Sequence, residues 1–340
     1  MSVDTPAAWR SLAGALRAES PIAVLEASER ELKEILAREV SQPLDGPRIR
    51  ALAAFQQELG FLLKYKSYAV KAASPLGYSV FLQQPGEGFS FQQHRTHKTE
   101  IFYILDVQPG GFVFLCDFSE WQHVYQRDTF LAWLNGAPDD RYERFRFVPR
   151  PGDIIVINRL NVVHTVIGCV LAEFATVSTD MVDRLHDQNE GKTIPSQFTR
   201  AFAEDRIRGL TWPATSHRVT LSDAGWTRAE VSWHPIRGGR KVTLGDDPRF
   251  SASLIQVDAG GQTEVVSSPD RAISIHVANG SGRLRLGTAA EFDAGSPPSL
   301  AARGGDLFLI APGAHYAFVN DGPVPLVVAE HRIPPDVAFV

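Results

Sequence analysis

The sequence predicts a mainly β protein with two β-barrel or jelly-roll domains that follow an N-terminal helical segment. From about residue 68 onward, short strand-like runs are separated by glycine and proline, which is typical of sandwiches and barrels. The stretch 152–164 is a Gly-Asp pair followed by an apolar run and a histidine, and this pattern recurs at 305–315. A strand, loop and histidine unit in each half indicates two related barrels.

The pattern divides the chain into four segments. Residues 1–70 read as helices without a chemical motif, and we expect them to cover a sheet or to join two subunits. A first barrel is expected over 71–190, a polar linker over 191–217 and a second barrel over 218–340. The second half offers no cluster of histidine and glutamate like that of the first, so we expect the second barrel to be metal-free.

Two helix starts are visible in the N-terminal segment. Ser28 and Glu31 have the spacing of a capping box ahead of apolar residues at helical spacing. Asp45, Gly46 and Pro47 have the composition of a second helix start, with proline in the first turn. The sequence therefore predicts two helices ahead of the first barrel.

The composition is that of an ordinary globular protein, with 340 residues, 44% of them hydrophobic and 21% charged. A net charge of -5 and a pI near 6.1 argue against a nucleic-acid-binding surface. No apolar stretch reaches the roughly 18 residues of a membrane span, and the N-terminus does not resemble a signal peptide. Cys116 and Cys169 lie in separate apolar runs and are expected to be buried free thiols. These features predict a cytoplasmic protein with no nucleic-acid or membrane partner, and they leave a homodimer open.

Four residues form the candidate metal site: Gln92, His94, Glu100 and His164. Gln92 and His94 are two positions apart, so they share one face of an extended strand. Glu100 belongs to the next strand-like run, and His164 follows a turn and another strand. An amide oxygen, a carboxylate and two imidazoles form a mixed nitrogen and oxygen set that suits Zn²⁺, Fe²⁺, Mn²⁺, Co²⁺ or Ni²⁺.

His97 is a rival ligand, because a pair formed by His94 and His97 would leave Gln92 outside the site. The odd spacing places the two histidines on opposite faces if the segment stays extended, which favours Gln92. A turn at Arg95–Thr96 would remove that objection. Both alternatives therefore stay open.

Three runs carry a resemblance to a known family. Residues 90–94 read Ser-Phe-Gln-Gln-His, residues 98–105 read Lys-Thr-Glu-Ile-Phe-Tyr-Ile-Leu, and residues 179–187 read Thr-Asp-Met-Val-Asp-Arg-Leu-His-Asp. With the Gly-Asp and His-Thr-Val-Ile-Gly patterns within 152–168, they resemble the metal-binding and catalytic segments of the class I (type I) mannose-6-phosphate isomerases. The runs also follow the order of that family, which belongs to the cupin superfamily.

The resemblance implies a bicupin fold, with the four candidate ligands around a divalent metal, most plausibly zinc. It implies that Arg184 corresponds to the arginine that the family is held to use in catalysis. Lys98 shares a strand face with Glu100, so it is a candidate acid, base or orienting group. The activity implied is an aldose–ketose isomerase that acts on a small molecule, a sugar or sugar phosphate, through a cis-enediol.

The chain departs from the family pattern around the substrate pocket. Only residues 95–97 separate His94 from Lys98, where a long insertion is usual, and Arg95 stands in place of a proline. The run from Glu173 reads Glu-Phe-Ala-Thr rather than Glu-x-Gln-Gln, and helices replace the N-terminal strands. The alternatives are an Fe(II)-dependent cupin oxygenase, another metal-dependent cupin enzyme of small-molecule biosynthesis, or a non-catalytic sugar-binding bicupin.

Overall fold

The computed structural model describes residues 22–40, 44–66, 69–96, 98–176, 182–295 and 297–334. Within these ranges the helices are α1 (Ile22–Val40), α2 (Gly46–Leu59), α3 (Phe118–Val124), α4 (Arg127–Leu134), α5 (Asp140–Glu143), α6 (Arg200–Arg208) and α7 (Ala289–Asp293). None of these helices has the length and apolar composition that crossing a membrane requires.

The strands fall into two groups along the chain. Those up to residue 231 are β1 (Leu62–Tyr65), β2 (Ala69–Ala73), β3 (Tyr78–Gln83), β4 (Phe91–His94), β5 (Glu100–Asp117), β6 (Arg146–Phe147), β7 (Asp153–Ile157), β8 (Val162–Ala175), β9 (Val182–His186), β10 (Ser216–Ser222) and β11 (Gly225–Val231). The others are β12 (His234–Ile236), β13 (Gly239–Asp247), β14 (Phe250–Val257), β15 (Val266–Ser268), β16 (Ala272–Asn279), β17 (Ser281–Gly287), β18 (Ser299–Arg303), β19 (Leu307–Ile310), β20 (Ala314–Val319) and β21 (Leu326–Ile333).

The predicted start of α2 is correct, and the predicted start of α1 is wrong. Asp45 caps α2, because its side chain accepts a hydrogen bond of 2.9 Å from the Arg48 backbone N–H. Helix α1 begins upstream of Ser28, so Ser28 and Glu31 lie inside the helix and the predicted capping box is wrong. The residues just ahead of Ser28 include alanine, leucine and glutamate, which are strong helix formers and extend the helix backwards.

The first β domain is one sheet of eleven strands in the order β1-β2-β3-β8-β5-β7-β10-β11, with β4, β6 and β9 joined at its sides. Strands β5 and β8 pair from Glu100 with Ala175 to Asp117 with Val162, with register shifts after Ile104 and after Val107. The sequence predicts each of them as two short strands. The structure joins the halves because the pairing resumes at Phe112 with Ile167 after residues 108–111, which have no partner on β8.

The boundary between the two β domains differs from the predicted one. The hairpin β10–β11 belongs to the first sheet, since β10 pairs in parallel with β7 over His217, Arg218 and Val219. The predicted start of the second barrel at residue 218 therefore lies inside a strand of the first sheet. Helix α6 lies within the predicted linker, and β1 lies within the predicted helical segment.

The second β domain is a sandwich of a six-stranded and a four-stranded sheet. Its core lies between the two sheets and includes Ile255, Ile275 and Tyr316. The repeated Gly-Asp motif makes the same turn in both domains. Asp153 Oδ2 accepts from the Arg150 N–H at 2.7 Å, and Asp306 Oδ2 accepts from the Arg303 N–H at 2.9 Å. The predicted class, mainly β with two barrel or sandwich domains and N-terminal helices, is confirmed.

A shared hydrophobic core joins the two β domains with α1, α2 and α6. Two histidines of the second domain, His276 and His331, lie fully buried at this junction. The Tyr78 hydroxyl lies 2.8 Å from His276 Nδ1. Burial lowers the pKa of both imidazoles to about 3, partly offset at His331 by a contact with the Leu76 backbone. Both rings are therefore neutral in the folded protein near neutral pH.

The cysteines also follow the prediction. Cys116 and Cys169 are free and buried. Burial raises the pKa of each thiol to about 12, so both are poor nucleophiles at neutral pH.

Acidification should destabilise the protein through His276 and His331 before most carboxylates titrate. Each imidazole has a folded pKa of about 3, and an unfolded pKa of about 6.5. As the pH falls below the unfolded pKa, these histidines bind protons in the unfolded chain and stay unprotonated in the folded chain. Linkage predicts a loss of about 2 kcal/mol per histidine from about pH 7.5 to about pH 5. Urea unfolding at the two pH values measures this loss.

The control is the exposed histidine His234. The variant His276→Gln should lose about half of the pH dependence, whereas His234→Gln should keep all of it. An unchanged pH dependence in the double variant His276→Gln, His331→Gln would contradict the assignment.

Candidate metal centre

Three strands bring the candidate ligands together at one end of the first barrel. Gln92 and His94 lie on β4, Glu100 begins β5, and His164 lies near the start of β8. Gln92 is the direct cross-strand partner of His164. His94, Glu100 and His164 are buried, and one donor atom from each lies within 4.8 Å of the others.

Both imidazoles converge on one carboxylate oxygen. His94 Nε2 lies 3.1 Å from Glu100 Oε2, and His164 Nε2 lies 3.3 Å from the same oxygen. Ligands that surround one ion tetrahedrally at about 2.1 Å are separated from each other by about 3.4 Å. The spacing of the donors therefore fits a single ion bound by all three residues.

The ring of His164 is oriented as a metal ligand would be. Its Nδ1 lies 3.0 Å from the Val162 carbonyl oxygen, which only accepts hydrogen bonds, so Nδ1 carries the proton. A backbone carbonyl that fixes the tautomer in this way is typical of metal-binding histidines. Nε2 then turns its lone pair toward Glu100 Oε2, which is also an acceptor. Two acceptors at this distance repel each other unless a cation or a second ring proton lies between them.

Gln92 is half-buried and its amide lies beside the cluster. Its Nε2 is 3.4 Å from His164 Nε2, and its Oε1 accepts a hydrogen bond of 3.0 Å from Ser90 Oγ. Rotation of the amide by half a turn would direct the oxygen to the cluster. The neighbouring Gln93 points elsewhere and donates to Asp183 at 3.1 Å. His97 lies outside the described residues, so the choice between Gln92 and His97 stays a prediction.

Lys98 contacts the other oxygen of the same carboxylate. Its Nζ lies 2.7 Å from Glu100 Oε1. Burial by itself raises the pKa of Glu100, but the charge of Lys98 and the two imidazoles outweigh burial and hold that pKa well below its usual range. Glu100 is therefore ionised, which is the state that binds a metal.

The second β domain holds the residue between Lys98 and Glu100. The Thr99 hydroxyl donates to Asp247 Oδ2 at 3.0 Å and accepts from Arg249 Nη2 at 2.6 Å. Arg249 also donates from Nε to Asp247 Oδ1 at 2.9 Å, and its hydrogen bonds lower the pKa of Asp247 to about 2. We call Thr99, Asp247 and Arg249 the Thr99 clamp. It fixes the start of β5 and with it the backbone of two site residues.

Cationic side chains surround the opening beside Lys98. We call this set the cationic mouth: Lys64, Lys66, Lys71, Lys98 and Arg184. A cavity of about 140 Å³ lies there, lined in part by Lys64, Lys71, Lys98 and Glu173. Glu173 lies 3.5 Å from Lys71 Nζ and 3.9 Å from Lys98 Nζ.

Burial and neighbouring charges shift the pKa of Lys66 in the cationic mouth. Burial lowers its pKa to about 8, with help from the positive charges of Lys71, Arg184 and Lys64, and Glu173 offsets part of the effect. An anion at the mouth would be attracted to all of these groups.

Arg184 lies on β9 as the direct cross-strand partner of Gln92. Partners of this kind extend their side chains from the same face, so Arg184 and Gln92 face the same side. Its neighbour Asp183 is engaged by Arg95. Within the described residues Arg184 forms no ion pair, and the exposed guanidinium is available to a ligand. Asp180, a further candidate partner, lies outside the described residues.

Sequence reasoning missed Lys64, Lys66 and Lys71, because the helical segment was extended to residue 70. The structure places these lysines on or beside the β1–β2 hairpin. The alternation in Leu-Leu-Lys-Tyr-Lys at 62–66 was the available signal for a strand.

Comparison with known proteins finds relatives only among solved structures. No protein-family model and no curated protein matches the chain. A mannose 6-phosphate isomerase from Bacillus subtilis is similar at 16% identity, with 74% of each chain covered and a TM-score of 0.47. An oxalate decarboxylase from Bacillus subtilis is 12% identical, with 81% of this chain and 74% of that chain covered and a TM-score of 0.46. A cupin domain from Schizosaccharomyces pombe is 14% identical, with 36% and 89% covered and a TM-score of 0.27.

Zinc binding should depend on Glu100 and His164 and not on a nearby carboxylate of the same barrel. We expect roughly one zinc per chain, measured as metal content after dialysis. Glu100→Gln and His164→Gln each remove a donor and should weaken binding by more than about 100-fold, since even outer partners of ligands cost 10–100-fold. The matched control Glu173→Gln should retain zinc.

A comparison of variants at two adjacent glutamines tests whether Gln92 is the fourth ligand. Gln92→Ala should lower zinc affinity, whereas Gln93→Ala, which alters a side chain bonded to Asp183, should not. Equal affinities in the two variants would remove Gln92 from the site, and full zinc content in Glu100→Gln would contradict the site itself.

The Thr99 clamp should matter for zinc affinity although none of its members contacts the donors. Asp247→Ala frees Thr99 and should weaken zinc binding by about 10-fold, as outer partners of metal ligands do. The neighbouring exposed carboxylate Asp246 provides the control. Titration calorimetry that gives the same zinc affinity for Asp247→Ala and Asp246→Ala would show that the clamp is only structural.

Proposed function

We propose that the protein is a metal-dependent aldose–ketose isomerase that acts on a sugar or sugar phosphate, like the class I mannose-6-phosphate isomerases it resembles. The observation that carries this proposal is the convergence of His94 and His164 on Glu100, with Lys98 bound to the same carboxylate. Zinc is the proposed metal, and Fe²⁺, Mn²⁺, Co²⁺ and Ni²⁺ also suit the donor set.

The reaction moves hydrogen without changing the composition of the substrate. The carbon-bound proton leaves C2 of the aldose and a proton arrives at C1, while the C2 hydroxyl loses a proton and the C1 oxygen gains one. When bound, a divalent cation supplies positive charge to these two oxygens and orients them. The side chains of the site must then hold the substrate and move the oxygen-bound protons.

Lys98 is the proposed group for proton movement at the substrate oxygens. Its ammonium lies between Glu100 and Glu173, at 2.7 Å and 3.9 Å from their nearest oxygens. The two carboxylates hold the ammonium in place without making it a metal ligand. Lys98 is thus a donor directed at the space beside the donor cluster, and positioned donors of this kind contribute about 10²–10⁴-fold to a rate.

The cationic mouth supports a phosphorylated substrate. Arg184 presents an exposed guanidinium on the face that also carries Gln92, and a guanidinium binds phosphate with two parallel hydrogen bonds. Lys66 and Lys71 add positive charge beside the same opening. A phosphate would add an anionic group beside these cations, so we propose a sugar phosphate as the better substrate.

An Fe(II)-dependent oxygenase is the second candidate, because one observation favours it. His94, His164 and Glu100 are two histidines and one carboxylate, which is the ligand set of non-haem Fe(II) oxygenases. A non-catalytic sugar-binding role is less well supported, since Lys98 contacts a candidate ligand and Arg184 has no ion pair within the described residues.

Zinc-loaded protein should interconvert mannose 6-phosphate and fructose 6-phosphate, or another aldose–ketose pair, and a coupled assay measures the rate. Lys98→Gln removes the proposed proton donor and should lower kcat by about 100-fold or more. At saturating zinc its metal content should stay at the level of the unmodified protein because Lys98 is not a ligand, although loss of its contact with Glu100 should weaken zinc affinity by about 10-fold. Lys192→Gln serves as the control, since Lys192 binds Glu87 on the surface.

A metal-replete protein that converts no member of a panel of aldoses, ketoses and their phosphates would contradict the isomerase proposal. Iron as the bound metal, together with oxygen consumption, would support the oxygenase instead. Full activity in Lys98→Gln would remove Lys98 from the mechanism while leaving the metal site intact.

A further inference from the structure

We propose that the chain has a second small-molecule site, in a cavity between β7 and the β10–β11 hairpin of the first β domain, where Arg218 binds the carboxylate or phosphate group of a polar ligand. The cavity has a volume of about 380 Å³ and shares no lining residue with the cavity of the cationic mouth. Neither the sequence pattern nor the proposed isomerase reaction assigns a role to it.

The cavity forms because two strands separate. Strand β10 pairs with β7 only as far as Val219 and Ile155, whereas it pairs with β11 along its whole length, from Ser216 to Ser222. Ile157 of β7 and Leu221 of β10 therefore line opposite walls of a gap. Val162, whose carbonyl fixes the His164 ring, lines the same space. The cavity thus adjoins the strands that carry the candidate ligands.

Arg218 is the cation in this cavity that lacks a carboxylate partner among the described residues. Its guanidinium is half-buried and, within the described residues, donates one hydrogen bond, from Nη2 to the Leu244 carbonyl oxygen at 2.6 Å. An arginine has five N–H donors, so most of them remain available. Burial lowers the pKa of Arg218, and no carboxylate counteracts that effect. Desolvation of this charge is therefore uncompensated within the described protein, and an anionic ligand would compensate it.

The other two arginines of the cavity are already neutralised. Arg159 binds Asp117 at 3.0 Å, and Arg144 binds Glu120 at 3.4 Å. Asp223 adds an exposed carboxylate on the β10–β11 turn. This mixed rim suits a ligand with one anionic group and a polar body better than a polyanion. The rim also distinguishes this cavity from the cationic mouth, where lysines predominate.

Arg218 and Asn158 lie between this cavity and a second one. Both residues also line a neighbouring cavity of about 190 Å³ that is bounded by Thr99 and Asp247. Asn158 is exposed, and its amide can donate to or accept from a ligand in the cavity that it lines with Arg218. A planar guanidinium next to an amide is well matched to a carboxylate or phosphate, whose oxygens accept two parallel hydrogen bonds.

Titration calorimetry on the zinc-loaded full chain tests the site, with gluconate and inorganic phosphate as separate probes. We expect saturable binding of at least one probe, with a Kd of roughly 1 mM or tighter. Arg218→Gln should weaken that binding by about 10-fold or more, which corresponds to the loss of a charge-assisted pair. Arg218→Lys keeps the positive charge but lacks the paired N–H donors of the guanidinium, and it should weaken probe binding less than Arg218→Gln does.

Two controls separate this site from others. Arg159→Gln removes a rim arginine that is already paired and should leave the affinity within about twofold. Lys71→Gln alters the cationic mouth and should leave binding at Arg218 unchanged. Unaltered zinc content in Arg218→Gln shows that the variant is folded and that the proposed isomerase site is intact.

Each outcome decides the proposal. Binding of either probe that Arg218→Gln weakens supports it and identifies the preferred group, whereas binding that Arg218→Gln leaves unchanged overturns it. No saturable binding of either probe overturns it. Binding that Lys71→Gln abolishes and Arg218→Gln preserves also overturns it, because the anion then binds at the mouth.

Discussion

The pairing of β5 with β8 is the constraint on which the candidate metal centre depends. Glu100 pairs with Ala175 at one end of this ladder, and Leu115 pairs with His164 near the other end. A flat ladder would separate the two positions by roughly 50 Å along β5, at 3.3 Å per residue. Their side chains nevertheless meet, with Glu100 Oε2 and His164 Nε2 at 3.3 Å. Shifts of register after Ile104 and after Val107 interrupt the regular ladder between the two positions, and bulges of this kind bend a strand.

The bend requires the backbones of β5 and β8 to approach closely, and glycine on both strands permits this approach. A Cβ atom on Gly111 would lie 2.5 Å from the Gly168 carbonyl oxygen, which is closer than a Cβ can approach. Gly168 has a φ of +63°, in the region that glycine adopts without strain. The two strands therefore come close at this point only because neither carries a side chain there. Fold and site are linked as a result, since any residue that opens the bend also moves His164 away from Glu100.

The sequence allowed the cluster of candidate donors and the strand-like runs Tyr78–Gln83 and Asp153–Ile157 to be predicted, because their signals are local. Strands β3 and β7 have the predicted bounds, and the Gln-x-His spacing places two donors on one strand face. The long ladder was not predictable in this way, because the Pro-Gly-Gly run at 109–111 looks like a turn in isolation. The hairpin β10–β11 was assigned to the second barrel for a related reason. Its partner β7 is distant in sequence, and only the folded sheet shows that pairing.

The two β domains each bury a carboxylate, and the groups that face it differ. In the second domain, Glu330 accepts from Arg332 at 2.8 Å and from Tyr316, and Lys241 lies at 3.3 Å. Burial alone would raise the pKa of Glu330, but these fixed cations outweigh it and lower that pKa to about 2. In the first domain, one oxygen of Glu100 has Lys98 while the other faces two imidazole nitrogens. A carboxylate surrounded by permanent cations needs no further charge. The second oxygen of Glu100 faces imidazole nitrogens instead of arginine or lysine, and a divalent ion is a positive partner that would bind all three groups at once.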